Sequence, residues 1–304
     1  MTPQKNMSGQ AWAELVTLSV IWGGSFLAVE FALRELPVFT IVAHRVFWAM
    51  LILWLVVAFR RLPLPRRPGI WGAFLVMGIL NNALPFTLLT YGQVFIESGL
   101  TSILNATTAI FGVLLAAAAF ADERLTANKL TGVAFGFAGV LLTIGPSALT
   151  GFDPRALAQL AVIAATLSYA CAGVWARKTL SGLPSEVSAA GMLSGSSLVM
   201  VPLALAVDGA PRFDLSAPVL AAMGFYVLIA TALAYLLYYR VLALAGSGNL
   251  MLVTLFVPVV AILAGALVLG EQLSPHALAG FALIAAGMVV LDGRLIRRLA
   301  RLCN

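Results

Sequence analysis

Ten apolar runs, most of them about 18 to 25 residues long, follow one another with only short polar breaks, and this succession limits the possible fold more than any single residue does. The runs are Trp12 to Leu33, Val38 to Phe59, Ile70 to Ile96, Leu100 to Ala121, Leu130 to Ile144, Ala156 to Ala176, Ser188 to Val207, Val219 to Tyr239, Leu250 to Leu269 and Ala277 to Leu291. A helix needs about 20 residues to cross the hydrocarbon core, where each backbone polar group must be satisfied within its own segment. The expected fold is therefore all-α, a polytopic membrane protein of ten transmembrane helices. With 62% hydrophobic and only 10% charged residues the chain could not cover a water-soluble surface. The first run is too long for a signal-peptide core and lacks a convincing cleavage site, so it is expected to stay as a helix.

The breaks are rich in turn formers at Leu62 to Pro68, Gly145 to Pro154 and Asp208 to Pro218, and Ser274-Pro275 favours a helix start. Positive charge is distributed unevenly among them. With the N-terminus inside, 14 of the 18 Lys and Arg residues fall in cytoplasmic segments (Lys5, Arg60, Arg61, Arg66, Arg67, Arg124, Lys129, Arg177, Lys178, Arg240, Arg294, Arg297, Arg298 and Arg301). Only Arg34, Arg155 and Arg212 fall outside, and Arg45 lies within a helix. Both termini are expected to be cytoplasmic. The net charge of +6 then reflects membrane topology and contact with anionic lipids, and no nucleic acid partner is expected. Protein partners are not specified by any motif. Cys171 and Cys303 are too few and too far apart for a disulfide framework and are expected to be free thiols.

The chain also repeats itself. Leu36-Pro37 recurs as Leu183-Pro184, Tyr91 as Tyr239, Glu123 as Glu271, Leu125 as Leu273, and Gly132 and Gly139 as Gly280 and Gly287, at an offset of 147 or 148 residues. Five helices fill one offset. Because five is odd, the second half must enter the bilayer from the opposite side, which makes residues 1–146 and 147–304 two inverted five-helix repeats. Many secondary transporters place a site near the midplane between such halves.

Trp22-Gly23-Gly24-Ser25-Phe26, Arg45, Glu123 and Glu271 at helix ends, and the Gly132 to Gly139 and Gly280 to Gly287 spacings together resemble the ten-helix EamA-type exporters of the drug/metabolite transporter superfamily. The resemblance covers nearly the whole chain and is strongest from Ala234 to Leu291, including Gly246-Ser247-Gly248, Pro258, Gly270-Glu271-Gln272-Leu273 and Gly280. It implies a secondary transporter of a bacterial-type cytoplasmic (inner) membrane, working by alternating access on a small-molecule substrate. The aromatic amino acid exporters are the most similar subgroup. Other members export drugs or other metabolites, and this alternative stays open. One departure is that Pro258 aligns with Ile110, so no hinge resting on prolines in both halves is expected.

Polar groups inside a bilayer are costly unless they face protein or a water-filled cavity, which makes them site candidates. Arg45 lies about two turns into the second helix, and Glu30 sits at similar depth in the antiparallel first helix, so the two are expected to form a structural or gating pair. Candidate substrate-binding residues are Trp22, Ser25, His44, Asn81, Asn82, Asn105, Thr108, Tyr169, Trp175 and Tyr226. The amides offer donors and acceptors without fixed charge, and the aromatics offer an apolar wall. Each also has a plain packing role open to it: amides glue helices, aromatics fill gaps, and His44 can be a hydrogen-bonded packing residue. Tyr235, Tyr238 and Tyr239 cluster near the inner end of the eighth run, where an inner gate would lie.

No Walker A sequence, no His/Cys ligand set and no nucleophile, base and orienter constellation occurs. No metal, no cofactor and no catalytic residue are expected. An intramembrane enzyme or a nontransporting scaffold is the rival from another class. The favoured cargo is amino acids, aromatic or otherwise apolar.

Overall fold

The computed structural model describes residues 8–145, 153–212, 214–250 and 252–292, all helices, turns and connecting loops with no strand among them. Among the described residues eight helices are long and apolar enough to cross a membrane: α1 Gly9–Ala32, α2 Val38–Phe59, α3 Pro68–Gln93, α4 Ser98–Ala119, α5 Ala127–Ile144, α6 Pro154–Thr179, α7 Ser185–Val207 and α8 Ala217–Ala245. Two shorter apolar helices follow, α9 Val253–Leu269 and α10 Pro275–Leu291. The expected Lys5, Arg294, Arg297, Arg298, Arg301 and Cys303 positions lie outside the described residues, and Cys171 is a free thiol.

Local chemistry explains where the helices begin. Pro68, Pro154 and Pro275 open α3, α6 and α10, where a missing N–H removes nothing from the helix. Ser8 and Thr126 cap α1 and α5 by accepting from Ala11 N–H and Lys129 N–H. A four-residue helical turn, Ser247–Leu250, precedes α9, so the ninth apolar run is divided near its start. The fourth run is divided too, between Ser98–Asn105 and Thr108–Ala119.

Polar contacts sort the helix ends into two sets. At one end, carboxylates from loops cap helices that they do not belong to. Asp208 Oδ2 accepts from the Thr40 N–H and hydroxyl at 2.7 and 2.8 Å in the first turn of α2. Glu271 accepts from the Ser98 and Gly99 N–H groups of α4 at 2.9 and 3.1 Å. Glu35 accepts from Ser216 N–H ahead of α8 at 2.9 Å, and this hydrogen bonding holds its carboxyl below the usual carboxylate range. Negative charge at a helix N-terminus satisfies orphan N–H groups and complements the macrodipole. An ion pair, Arg155 with Glu97 at 2.6 Å, joins this end as well. The other end is joined by side-chain ion pairs without such caps: Arg60 with Glu186 at 2.6 Å, Arg240 with Glu14 at 2.6 Å, and Arg177 with Asp122 and Glu123 at 2.5 and 3.5 Å. The arginines of these pairs are 46% to 64% exposed, so each pair contributes at most about 1 kcal/mol.

Helices α5 and α10 meet along their glycines. A Cβ at Gly132 would lie 2.6 Å from the Gly287 carbonyl oxygen, and one at Gly287 would lie 2.7 Å from that of Gly132. The same reciprocity holds between Gly139 and Gly280, at 2.7 and 2.6 Å. Residue numbers rise on one helix as they fall on the other, so the two are antiparallel. Only glycine lets the backbones approach so closely, the usual device where apolar helices cannot rely on water to drive them together.

Candidate functional site

The site grows out of two irregular turns. Residues Ile79–Ala83 of α3 and Phe225–Leu233 of α8 form π-helix, in which N–H groups reach back five residues instead of four. In α3 the cause is legible in the chain. Pro85 has no N–H to give to Leu80, and the Leu84 N–H goes to the Ile79 carbonyl, so the Leu80 carbonyl is left without a backbone donor. The Ser168 hydroxyl of α6 donates to it at 2.7 Å. In α8 the Thr231 hydroxyl donates to the Tyr226 carbonyl five residues back, at 2.8 Å.

Arg45 of α2 is buried against these turns. Its Nε donates to the Thr231 hydroxyl at 2.8 Å and its Nη1 to the Tyr226 hydroxyl at 2.6 Å. Its guanidinium carbon lies 3.6 Å from the centre of the Phe86 ring and 4.1 Å from that of the Tyr226 ring. Two such cation–π contacts contribute about 0.5 to 2 kcal/mol each, against an insertion cost for a helix-centre arginine of about 2.5 to 3.5 kcal/mol. One turn before Phe86, Asn82 is fully buried and its Oδ1 accepts from the Tyr235 hydroxyl at 2.7 Å, while its Nδ2 has no partner. The Asn81 amide approaches the same Tyr235 hydroxyl at 3.5 Å. Tyr169 of α6 meets the edge of Phe86, with ring centres 6.5 Å apart.

Four sequence candidates, Asn81, Asn82, Tyr169 and Tyr226, therefore gather around Arg45. Trp22 borders the group through Tyr238, one turn beyond Tyr235, at 5.8 Å between ring centres. Phe86, Thr231 and Ser168 join it although the sequence reading passed over them, and Tyr235 belongs to this interior group, not only to an end of α8.

Other candidates go elsewhere. Among the described residues no ion pair joins Arg45 to Glu30: similar depth in the bilayer did not bring the two side chains onto facing surfaces. Glu30 Oε1 instead accepts from Gln93 Nε2 at 2.9 Å, and the same nitrogen donates to the Phe26 carbonyl at 2.8 Å. His44 accepts from Trp48 Nε1 at 3.0 Å and lines an apolar groove between α2 and α7 with Phe47, Val201 and Leu205. Trp175 pegs α6 to α3 by donating to the Ala73 carbonyl at 3.1 Å. The Ser25 and Thr108 hydroxyls are taken up by their own helices, donating to the Trp22 and Asn105 carbonyls at 2.6 and 2.8 Å. Asn105 sits at the division of α4 with a buried, unpartnered Oδ1. Among the described residues no group of three or more His, Cys, Asp or Glu could hold a metal ion.

The family model for EamA-like transporters matches residues 7–145 and again residues 156–291. The chain belongs to the EamA-like transporter family. It is thus a multi-pass membrane transporter, and the enzyme alternative falls away. This EamA-like chain is 26% identical over 296 residues to a probable amino-acid metabolite efflux pump of Salmonella typhimurium, covering 93% of this chain and 95% of that one. It is 27% identical to a probable terminal-alkyne amino-acid exporter of Streptantibioticus cattleyicolor, covering 96% of each, and 23% identical to the uncharacterized transporter YoaV of Bacillus subtilis, covering 90% and 94%. A solved crystal structure superposes on it with a TM-score of 0.67 at 19% identity, over 95% of this chain and 98% of that one, which shows a shared fold.

Proposed function

We propose that this chain exports amino acids with aromatic or other apolar side chains across a bacterial cytoplasmic membrane, as a secondary transporter working by alternating access. The observation that carries the reading is the polar and aromatic group around Arg45, drawn from α2, α3, α6 and α8 and set inside an apolar bundle. A zwitterion needs hydrogen-bonding groups at its charged ends and an apolar wall for its side chain, and the Asn81, Asn82, Tyr226 and Tyr235 groups lie beside the Phe86 and Tyr169 rings. Two relatives, a probable amino-acid metabolite efflux pump and a probable terminal-alkyne amino-acid exporter, support the same cargo class.

The proposed architecture is ten crossings in two inverted halves, residues 1–146 and 147–304, with both termini cytoplasmic. At 17 residues each, α9 and α10 reach about 26 Å, near the thickness of the hydrocarbon core. Inversion is supported by the α5–α10 contact. Shifting Gly132 and Gly139 by 148 residues gives Gly280 and Gly287, so exchanging the halves maps the Gly139–Gly280 approach onto the Gly287–Gly132 approach. A contact between antiparallel helices that reproduces itself on exchange fits a twofold axis across the helices. The π turn of α3, shifted by the same amount, falls at residues 227–231, within the π turn of α8.

Alternating access is supported by an asymmetry between repeat counterparts. Glu271 caps α4, whereas Glu123 is engaged by Lys129 at 3.1 Å and by Arg177. In this reading the three carboxylate caps hold the external end shut, and the cytoplasmic end carries only side-chain pairs that can separate. Counterflow of labelled amino acids into proteoliposomes tests the function as a whole.

A further inference from the structure

We infer that Arg45 is the anchor for the carboxylate of the transported molecule. This rests on the reading of the Arg45 group as the cargo site, but it adds a chemical requirement: the cargo must carry a free carboxylate, and an amine or amide of the same shape is rejected.

Arg45 is more than nine-tenths buried, and among the described residues no carboxylate lies within ion-pairing distance of it. A guanidinium carries five N–H donors. Thr231 takes the one on Nε and Tyr226 takes one on Nη1, both neutral hydroxyls that leave the charge uncompensated. The other Nη1 donor and both on Nη2 have no acceptor among the described residues. The Phe86 and Tyr226 ring centres lie 3.6 and 4.1 Å from the guanidinium carbon, and together with the two hydrogen bonds they limit how the group can turn. A planar, oriented fork of N–H groups is the arrangement that takes a carboxylate in two hydrogen bonds. Asn82 supplies a second, independent pointer. Its buried Nδ2 donor is also without a partner, and it stands one turn from Phe86 on α3, on the side of Tyr235. Open donors beside a buried positive charge favour an anionic group.

The test uses purified full-length protein in detergent and as proteoliposomes. Thermal stabilisation is measured with 3-phenylpropionate and with 3-phenylpropionamide, which differ only at the carboxyl group and contain no amino group. The expected result is stabilisation by the acid with an apparent affinity about 10- to 100-fold above that of the amide, the range of a lost charge-assisted hydrogen bond. Arg45→Gln abolishes the difference and Arg45→Lys retains part of it. Equal stabilisation by acid and amide, or by neither, in the wild-type protein overturns the inference, whether or not the variants fold. In proteoliposomes, phenylalanine counterflow is inhibited by phenylalanine and not by phenylalaninamide or phenethylamine. Failure of phenylalanine to move while the acid-over-amide preference persists would count against the amino acid reading alone and leave the carboxylate anchor standing.

Discussion

Glu271 accepts a hydrogen bond from the backbone N–H of Ser98 at 2.9 Å, so a residue two positions past the end of α9 fastens the start of α4. The Glu271 carboxylate also takes the Gly99 N–H, and Gly265 leaves room for it: a Cβ there would lie 2.8 Å from the Glu271 carboxyl carbon. If this cap holds the external end closed, Glu271→Gln weakens it by removing a charge worth about 0.3 to 1 kcal/mol at a helix N-terminus. In a Cys171→Ser, Cys303→Ser background, Thr101→Cys is then expected to react several-fold faster with a membrane-impermeant thiol reagent added from the side that labels Ala210→Cys. Arg66→Cys is expected to label only from the opposite side. An unchanged Thr101→Cys rate, or labelling of Ala210→Cys and Arg66→Cys from one side, contradicts the gating and orientation proposed.

The glycine approach between α5 and α10 leaves no space for a side chain. Gly139→Val places carbon against the Gly280 carbonyl and forces the helices apart, with an expected loss of at least about 1 to 3 kcal/mol for an overpacked contact. Gly173 has nothing within 4 Å of an added Cβ, and Gly173→Ala is expected to be neutral or stabilising by a few tenths of a kcal/mol to about 1 kcal/mol. Melting temperatures in detergent distinguish the two, and similar effects at both positions would remove the packing argument.

The π turn of α3 makes a coupled prediction. Ser168→Ala deprives the Leu80 carbonyl of its donor, with an expected loss of about 1 to 3 kcal/mol. In a Pro85→Ala background the chain regains an N–H at position 85, and the cost of Ser168→Ala is expected to shrink by more than half. A double-mutant cycle measured by thermal or denaturant unfolding reads the coupling, and strict additivity would show that the two residues do not serve the same carbonyl.

Much of the fold was legible because hydrophobic length is a strong signal. The second apolar run, Val38 to Phe59, has the bounds of helix α2, while α9 starts three residues later than its run. The site was only partly legible. Depth along a helix can be counted from sequence, but the direction a side chain takes depends on packing, and so Arg45 and Glu30 were matched in depth yet found different partners. Tyr226 and Thr231 show a second cause. Five residues turn an ideal α-helix by about 140° past a full revolution, which puts them on different sides. The π turn brings position i+5 back over position i, and this register change joins both residues to one arginine. Pro85 was a visible cue for the irregular turn in α3. No comparable cue marks the one in α8.

Counterflow in proteoliposomes shows whether the group around Arg45 moves amino acids. Vesicles preloaded with unlabelled phenylalanine or leucine are diluted into the labelled amino acid, with empty vesicles as the control. Saturable uptake is expected for the wild-type protein. Asn82→Ala and Tyr235→Phe, which break the hydrogen bond between α3 and α8, are expected to lower it several-fold at equal protein content. Saturable movement of drugs or sugar phosphates with no movement of any amino acid would contradict the account.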